Sequence, residues 1–333
     1  MINILIRADS NTTLGDGHVS RCITLVKAFN ADVQIHWLCH TLSSRHRHLF
    51  KDKQYSLFEP PTPVRIDESS FCRKLIKKLH INVLIYDSYS LDAKWRNELN
   101  LPTQIKVVCY DDLANRAHDV DILIDASPTR CEHDYKNLIQ PHTKMLIGHK
   151  YVSIQEMKIA ASEQKKADLW HIFFGAGDPK NFTASYLLLL LTTFPTIRFN
   201  VVIGNLDNVP NIKNIQQHYP NRINIFITPN SIDQSLAGCS IAIGAPGIAT
   251  WERLSIKLPC LLLSTHKNQI EILKQLDQKK IIIYLGQASR FEDNLVKIEK
   301  LLKHDFQNRL RIPEIDALGT QRIRNAIMEL HYG

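Results

Sequence analysis

No apolar run in this sequence is long enough to cross a bilayer: the longest, Tyr186 to Leu191, falls far short of the roughly 18 residues a membrane span needs. The opening stretch Met1-Ile2-Asn3-Ile4-Leu5-Ile6 has no basic leader and no cleavage site and is broken by Arg7 and Asp9, so it reads as a first strand. A cytoplasmic protein without membrane insertion is expected. There is no Cys-x-x-Cys pair. The seven cysteines, Cys22, Cys39, Cys72, Cys109, Cys131, Cys239 and Cys260, are odd in number and scattered, mostly through apolar runs, and read as reduced core residues. A P-loop, a G-x-S-x-G elbow and an H-E-x-x-H pair are all missing, which removes support for ATPase, serine hydrolase and zinc protease readings. Nor is there a fixed repeat or a low-complexity tract, which excludes a solenoid. The net charge of +8 is spread over basic residues interleaved with acids and without an aromatic-rich basic stripe. No nucleic-acid partner follows from it, and the basic surface suits attraction of an anionic substrate.

What is present points to two ordinary domains, because single cores rarely grow far past roughly 250 residues and this chain has 333, with 44% hydrophobic and 22% charged residues. Short β-branched runs alternate with amphipathic stretches along almost the whole length, the pattern of parallel sheets wrapped by helices. The expected fold is α/β: two Rossmann-like doubly wound domains facing a central cleft. Strands are expected at Asn3 to Arg7, Gln34 to Cys39, Val83 to Asp87, Ile105 to Tyr110 and Asp121 to Asp125. After the polar stretch Ser153 to Asp168 they resume at Leu169 to Phe174, Phe199 to Ile203, Ile223 to Ile227, Ile241 to Ile243, Cys260 to Ser264 and Ile281 to Leu285. Helical patterns include Val19 to Phe29, Ser69 to His80, Asp293 to Lys303 and Glu314 to His331. The expected domains are residues 1–155 and 156–333. In such sheets ligands collect beyond the carboxyl ends of strands, so function is sought in the strand-to-helix loops.

The first such loop carries Asp9, Gly15, Gly17, His18 and Arg21. Its glycines allow tight turns and His18 falls where a helix begins. The partial positive charge there disfavours imidazolium and would leave a neutral imidazole able to accept a proton. The pattern is equally compatible with a turn that His18 merely caps, and it lacks the third glycine of a dinucleotide fingerprint. Asp9 and Arg21 either orient the histidine or form a buried ion pair. Tyr89 lies just past a buried strand end, as a functional phenol or as a core tyrosine. In the second half, the turn Gly244 to Gly247 follows a strand and opens a helix near Ile248, offering N–H groups to a pyrophosphate. Gly175 and Gly177 form a similar turn, in phosphate or sugar contact or purely structural. Glu252, one turn into the helix at Ile248, is a surface glutamate or a ribose acceptor. Asp119 and Asp121 have metal-binding spacing but sit at the amino end of a strand, the wrong end for a ligand. His46-Arg47-His48 has no suitable acidic or cysteine partners and reads as a solvated helix. No metal and no cofactor is expected.

Gly15-x-Gly17-His18-x-x-Arg21, after Arg7-Ala8-Asp9-Ser10, resembles the start of the UDP-2,4-diacetamido-2,4,6-trideoxy-β-L-altropyranose hydrolases of pseudaminic acid biosynthesis, members of the glycosyltransferase-B superfamily. Similar stretches follow in the same order over about 270 residues: Asp87-Ser88-Tyr89, Asp111 to Asp119, Phe174 to Asn181, Gly244 to Glu252, and Asn268-Gln269. Ser88 stands where the family has histidine, and Pro246 interrupts a usually glycine- and serine-rich turn. The resemblance implies that His18 activates water for attack on the anomeric carbon with inversion, with Tyr89 and Asn268 near the sugar or the water. It implies substrate contacts from Asp9, Gly17, Arg21, Gly175, Gly177, Gly247, Ile248, Glu252 (on the ribose hydroxyls) and Gln269. One base suffices for such a reaction, because a nucleoside diphosphate leaves as a stabilised anion, whereas an ordinary glycosidase must protonate an alkoxide. The implied partners are a UDP-sugar substrate and, as pathway neighbours, other enzymes of nonulosonic acid biosynthesis. Two rivals share these features: a UDP-sugar transferase, in which an acceptor hydroxyl replaces water, and a nucleotide-sugar binding protein without turnover.

Overall fold

Strands covered on both faces by helices need no polar alternation, and uninterrupted aliphatic runs form them here. The computed structural model describes residues 2–11, 15–47, 50, 55–60, 68–157, 165–229 and 231–332. The chain forms two units, Met1–Ile154 with Ala317–Gly333, and Gln155–Asp316. The first contains, in order, β1 (Ile2–Ala8), α1 (Gly17–Val26), β2 (Val33–Leu38), α2 (Ser44–Arg47), β3 (Ser56–Phe58), α3 (Glu68–Lys78), β4 (Val83–Asp87), α4 (Ala93–Glu98), β5 (Lys106–Tyr110), β6 (Ile122–Asp125) and β7 (Lys144–Ile147). These strands form one parallel sheet of order β3-β2-β1-β4-β5-β6-β7. The second unit contains β8 (Lys166–Phe173), α5 (Phe182–Thr193), β9 (Arg198–Ile203), α6 (Val209–His218), β10 (Ile223–Ile227), α7 (Asp233–Leu236), β11 (Cys239–Gly244), α8 (Ile248–Ser255), β12 (Cys260–Ser264), α9 (Ile270–Gln278), β13 (Ile283–Gln287) and α10 (Phe291–Leu302). Its parallel sheet runs β10-β9-β8-β11-β12-β13.

The central strands follow the aliphatic runs of the sequence to within a few residues. The edge strands β3 and β7 are not among the expected ones, since three or four residues of mixed polarity carry no pattern of their own. They become strands by pairing with β2 and β6.

The last helix, α11 (Gly319–Tyr332), starts later than the expected Glu314 and returns to the first unit. Ile323, Ala326 and Ile327 form a stripe at i, i+3 and i+4 that joins the core cluster containing Val19, Cys22, Leu25 and Val26 of α1. Gly319 makes this approach possible: a Cβ there would lie 2.3 Å from the Val152 carbonyl oxygen. The expected second domain, 156–333, is corrected at its end alone: residues 317–333 group with the first unit, because the apolar face of α11 is buried there.

Two further expectations change. His46 is buried, with Nε2 3.1 Å from Ser20 Oγ and Nδ1 3.3 Å from Ser10 Oγ, so this histidine is packed, while Arg47 beside it is exposed. His48 lies outside the described residues. Six of the seven cysteines are buried and Cys131 is exposed, at the head of a short 3-10 turn. Among the described residues no helix is long and apolar enough to cross a membrane.

Both sheets reverse strand order once, between β1 and β4 in the first unit and between β8 and β11 in the second. At such a switch point the loops leave in opposite directions and open a crevice at the carboxyl edge of the sheet.

Candidate active site

In the first unit the loops after β1 and β4 meet at this switch point. His18, the second residue of α1, is buried against the last residue of β4: its Nδ1 lies 2.6 Å from Asp87 Oδ1. Burial by itself would raise the Asp87 carboxyl, but the Arg21 guanidinium and His18 hold it well below the usual carboxylate range. An ionised carboxylate can only accept, so Nδ1 carries a proton, and in the neutral ring Nε2 presents the lone pair. Among the described residues nothing hydrogen-bonds to Nε2. The hydrogen bond to Asp87 fixes the ring orientation, with Nε2 turned away from the aspartate.

Arg21 extends the array. It binds Asp87 through Nε and Nη2 and grips Asp112 bidentately through Nη1 at 2.8 and 2.9 Å, with its guanidinium 4.8 Å from the Tyr110 ring centroid. Of the two roles open to Arg21, the structure shows the ion pair, and through it the histidine's partner is fixed. Tyr89 stands edge-on to His18, ring centroids 4.5 Å apart. Burial and then the Asp112 charge push its phenol up, so it is a donor and not a phenolate at neutral pH. Asp9 faces elsewhere: Oδ2 accepts from Arg7 Nη1 at 2.7 Å, and Oδ1 from the His40 and Thr41 amides at 2.7 and 3.0 Å, tying the end of β1 to the loop after β2.

The stretch Asp111 to Asp119 shapes the Tyr89 loop. Arg116 reaches Asp111 at 2.8 Å, the Ser88 carbonyl at 2.8 Å and the Leu91 carbonyl at 3.0 Å. Behind it, the Tyr135 hydroxyl lies 3.1 Å from Asp111 Oδ2 and 2.8 Å from Asp125 Oδ2, with one proton to share between them. Asp125 ends β6 fully buried, and its carboxyl is raised to about 7 by burial first and the Asp112 and Asp111 charges next, against hydrogen bonds from the Ser127 amide and Tyr135. A carboxyl raised on folding stabilises the fold below its ordinary pKa and loses that contribution as pH rises through the folded value, here between about 4 and about 7. Asp125→Asn is thus expected to raise the thermal midpoint relative to wild type at pH 8 and not at pH 4. Equal destabilisation at both would contradict this account.

In the second unit the loops after β8 and β11 meet at the corresponding point. Gly175 adopts a left-handed φ of +92°, and Gly177 follows it into α5. The α5 amides are already occupied: Asp178 accepts from Phe182 and Thr183 at 2.8 and 2.9 Å, and Asn181 from Ala184. The turn into α8 differs. Gly247, with φ +131°, caps the helix without a side-chain acceptor, and the Ile248 and Ala249 amides have no partner among the described residues. This turn is the better equipped to receive an anion. Glu252 lies half-buried one turn into α8, its carbonyl accepting from Ser255 Oγ at 2.8 Å. Asn268 is exposed in the turn after β12, while Gln269 Oε1 accepts from the Thr265 and His266 amides at 2.8 and 3.2 Å and holds that turn closed.

Asp87 has no role assigned from sequence, although a lone carboxylate closing an apolar strand was the available signal. Asp121 is occupied by the Val107 amide at 2.7 Å. Among the described residues no group of three His, Cys, Asp or Glu side chains could hold a metal ion.

No known protein-family profile matches the chain. It is 24% identical over 274 residues to the UDP-2,4-diacetamido-2,4,6-trideoxy-beta-L-altropyranose hydrolase of Campylobacter jejuni, covering 80% of this chain and 93% of that protein. The solved structure of Acinetobacter baumannii MurG superposes with a TM-score of 0.66 at 13% identity, covering 99% and 100% of the two chains. UDP-GlcNAc 2-epimerase from Neisseria meningitidis, solved bound to UDP-GlcNAc, gives 0.58 at 13% identity over 99% and 100%. The fold is thus of the glycosyltransferase-B type, and the resemblance to the altropyranose hydrolase extends over most of the chain.

Proposed function

We propose that this protein is a metal-independent cytoplasmic enzyme that hydrolyses UDP-2,4-diacetamido-2,4,6-trideoxy-β-L-altropyranose to UDP and the free sugar, supplying nonulosonic acid synthesis. The observation that carries the reading is the hydrogen bond from His18 Nδ1–H to the ionised Asp87, which turns the Nε2 lone pair into a positioned base. Water loses a proton to Nε2 as its oxygen bonds to the anomeric carbon. The bond from that carbon to the β-phosphate oxygen breaks, and the electron pair leaves with UDP. A single displacement of this kind inverts the anomeric configuration. Asp87 stabilises the imidazolium that forms, and Tyr89 donates a hydrogen bond at the sugar or the water. The second unit takes the nucleotide, with the diphosphate on the Gly247, Ile248 and Ala249 amides and Glu252 on the ribose. Gly175 and Gly177 bring backbone close to the same ligand, and Asn268 reaches the sugar. The likeness to the Campylobacter hydrolase supports this substrate, and the epimerase solved with UDP-GlcNAc supports a UDP-sugar in this fold.

The test is UDP release from a panel of UDP-sugars with EDTA present and no acceptor. Turnover of the diacetamido-trideoxy sugar that survives EDTA is expected, with inverted product by proton NMR. UDP binding without release from any sugar would replace the hydrolase by a transferase awaiting its acceptor, or by a binding protein.

A further inference from the structure

Arg253 lies on the buried stripe of α8 with Thr250 and Leu254, fully enclosed. Its guanidinium donates to the Phe173 carbonyl at 3.0 Å and the Ala245 carbonyl at 3.3 Å, bracing the ends of β8 and β11 beneath the turn that leads to Gly247. Phe173 oxygen also accepts the Ala245 amide at 3.2 Å, and Gly244 passes so close that a Cβ would fall 1.8 Å from that oxygen. Nε has no hydrogen-bond partner, and no carboxylate forms an ion pair with Arg253 among the described residues. The Thr250 hydroxyl beside it is also buried without a hydrogen-bond partner among the described residues. Two carbonyl dipoles do not neutralise a buried cation, and an uncompensated one is strongly unfavourable unless something supplies the opposite charge. Burial lowers the affinity of the guanidinium for its proton, and Cys260 and then the neighbouring Glu252 oppose this without overcoming it.

We propose that Arg253 is a positioning residue whose buried positive charge backs the Gly244–Gly247 turn and selects for the diphosphate of the nucleotide bound there. This rests on the nucleotide-binding reading above. The guanidinium does not touch the ligand. It acts by holding the Ala245 carbonyl away from the anion and by placing a fixed charge behind the free amides of α8, in a region where little water screens it.

The test compares the affinities of UDP and uridine by calorimetry in wild type, Arg253→Met and Arg253→Lys. Methionine keeps the length of the stem without the charge, and lysine keeps the charge with fewer donors. If the charge selects the diphosphate, Arg253→Met weakens UDP by about tenfold or more and leaves uridine within about twofold, while Arg253→Lys retains most of the preference for UDP. A bracket with only a structural role predicts that both ligands weaken together, and that result would overturn the proposal. Should Arg253→Met fail to fold, Arg253→Lys decides alone: a folded lysine variant that loses the preference for UDP refutes the role of charge, and one that keeps it supports it. Wild-type protein that binds neither ligand would refute the nucleotide reading itself, an outcome distinct from an unchanged UDP preference in the variants.

Discussion

Replacing His18 by asparagine is expected to lower kcat for UDP release by about 10²–10⁴-fold, the range that a positioned general base contributes. UDP affinity should stay within about threefold of wild type, because the diphosphate contacts proposed here lie on the second unit. The imidazole is small, and the site is at the start of α1 and not in the middle of the β1 and β4 core, so the variant should fold. A side-chain amide at this position can still donate a hydrogen bond to Asp87, but it has no basic nitrogen with which to take a proton from water. Stopped assays of UDP release with EDTA present, paired with calorimetric UDP titration, read both quantities. Turnover within a few-fold of wild type would remove His18 from the chemistry and leave the Gly15-to-His18 loop a structural turn.

Asp87→Asn is expected to lower kcat by about 100-fold or more with KM changed by less than about threefold, since Asp87 orients the base without touching substrate. The amide offers one acceptor oxygen where the carboxylate supplies both Oδ1, to His18 and Arg21, and Oδ2, to Arg21. His18 then loses the ionised partner that fixes Nδ1–H, and the imidazolium loses its counter-charge. The same substitution leaves Arg21 paired with Asp112 alone, so a drop in thermal midpoint is expected alongside. A purely structural Asp87 would show that drop while the enzyme remaining folded kept its kcat, which separates the two roles. Asp112→Asn, one link further from His18, should cost less in kcat.

Aliphatic runs made the central strands legible because burial on both faces of a parallel sheet demands apolar side chains at every position, as in Val83-Leu84-Ile85-Tyr86. The loop after β1 was legible for a related reason. Gly15 adopts φ +79°, a backbone conformation that favours glycine, and the sequence places His18 directly after Gly17 at a helix start. The partners of His18 were not legible in this way. Asp87 is 69 residues away in sequence, and only the pairing of β4 beside β1 brings it to the imidazole. Arg253 could have been suspected, since it shares the helical spacing of Thr250 and Leu254, but its lack of a carboxylate partner is a property of packing. Asp9, beside the histidine loop in sequence, turns instead toward Arg7 and the loop after β2, because two amides of that loop find their acceptor in its carboxylate.

Local chemistry, then, determined which segments become strands, where tight turns occur and which residue types stand at the strand ends, since these depend on burial and backbone sterics within a few residues. The order of the strands, the return of α11 to the first unit and the chain of contacts from Asp112 through Arg21 and Asp87 to His18 were decided only by the tertiary structure. They join residues far apart in sequence whose meeting is set by which apolar faces pack and by which charges, once buried, find a partner.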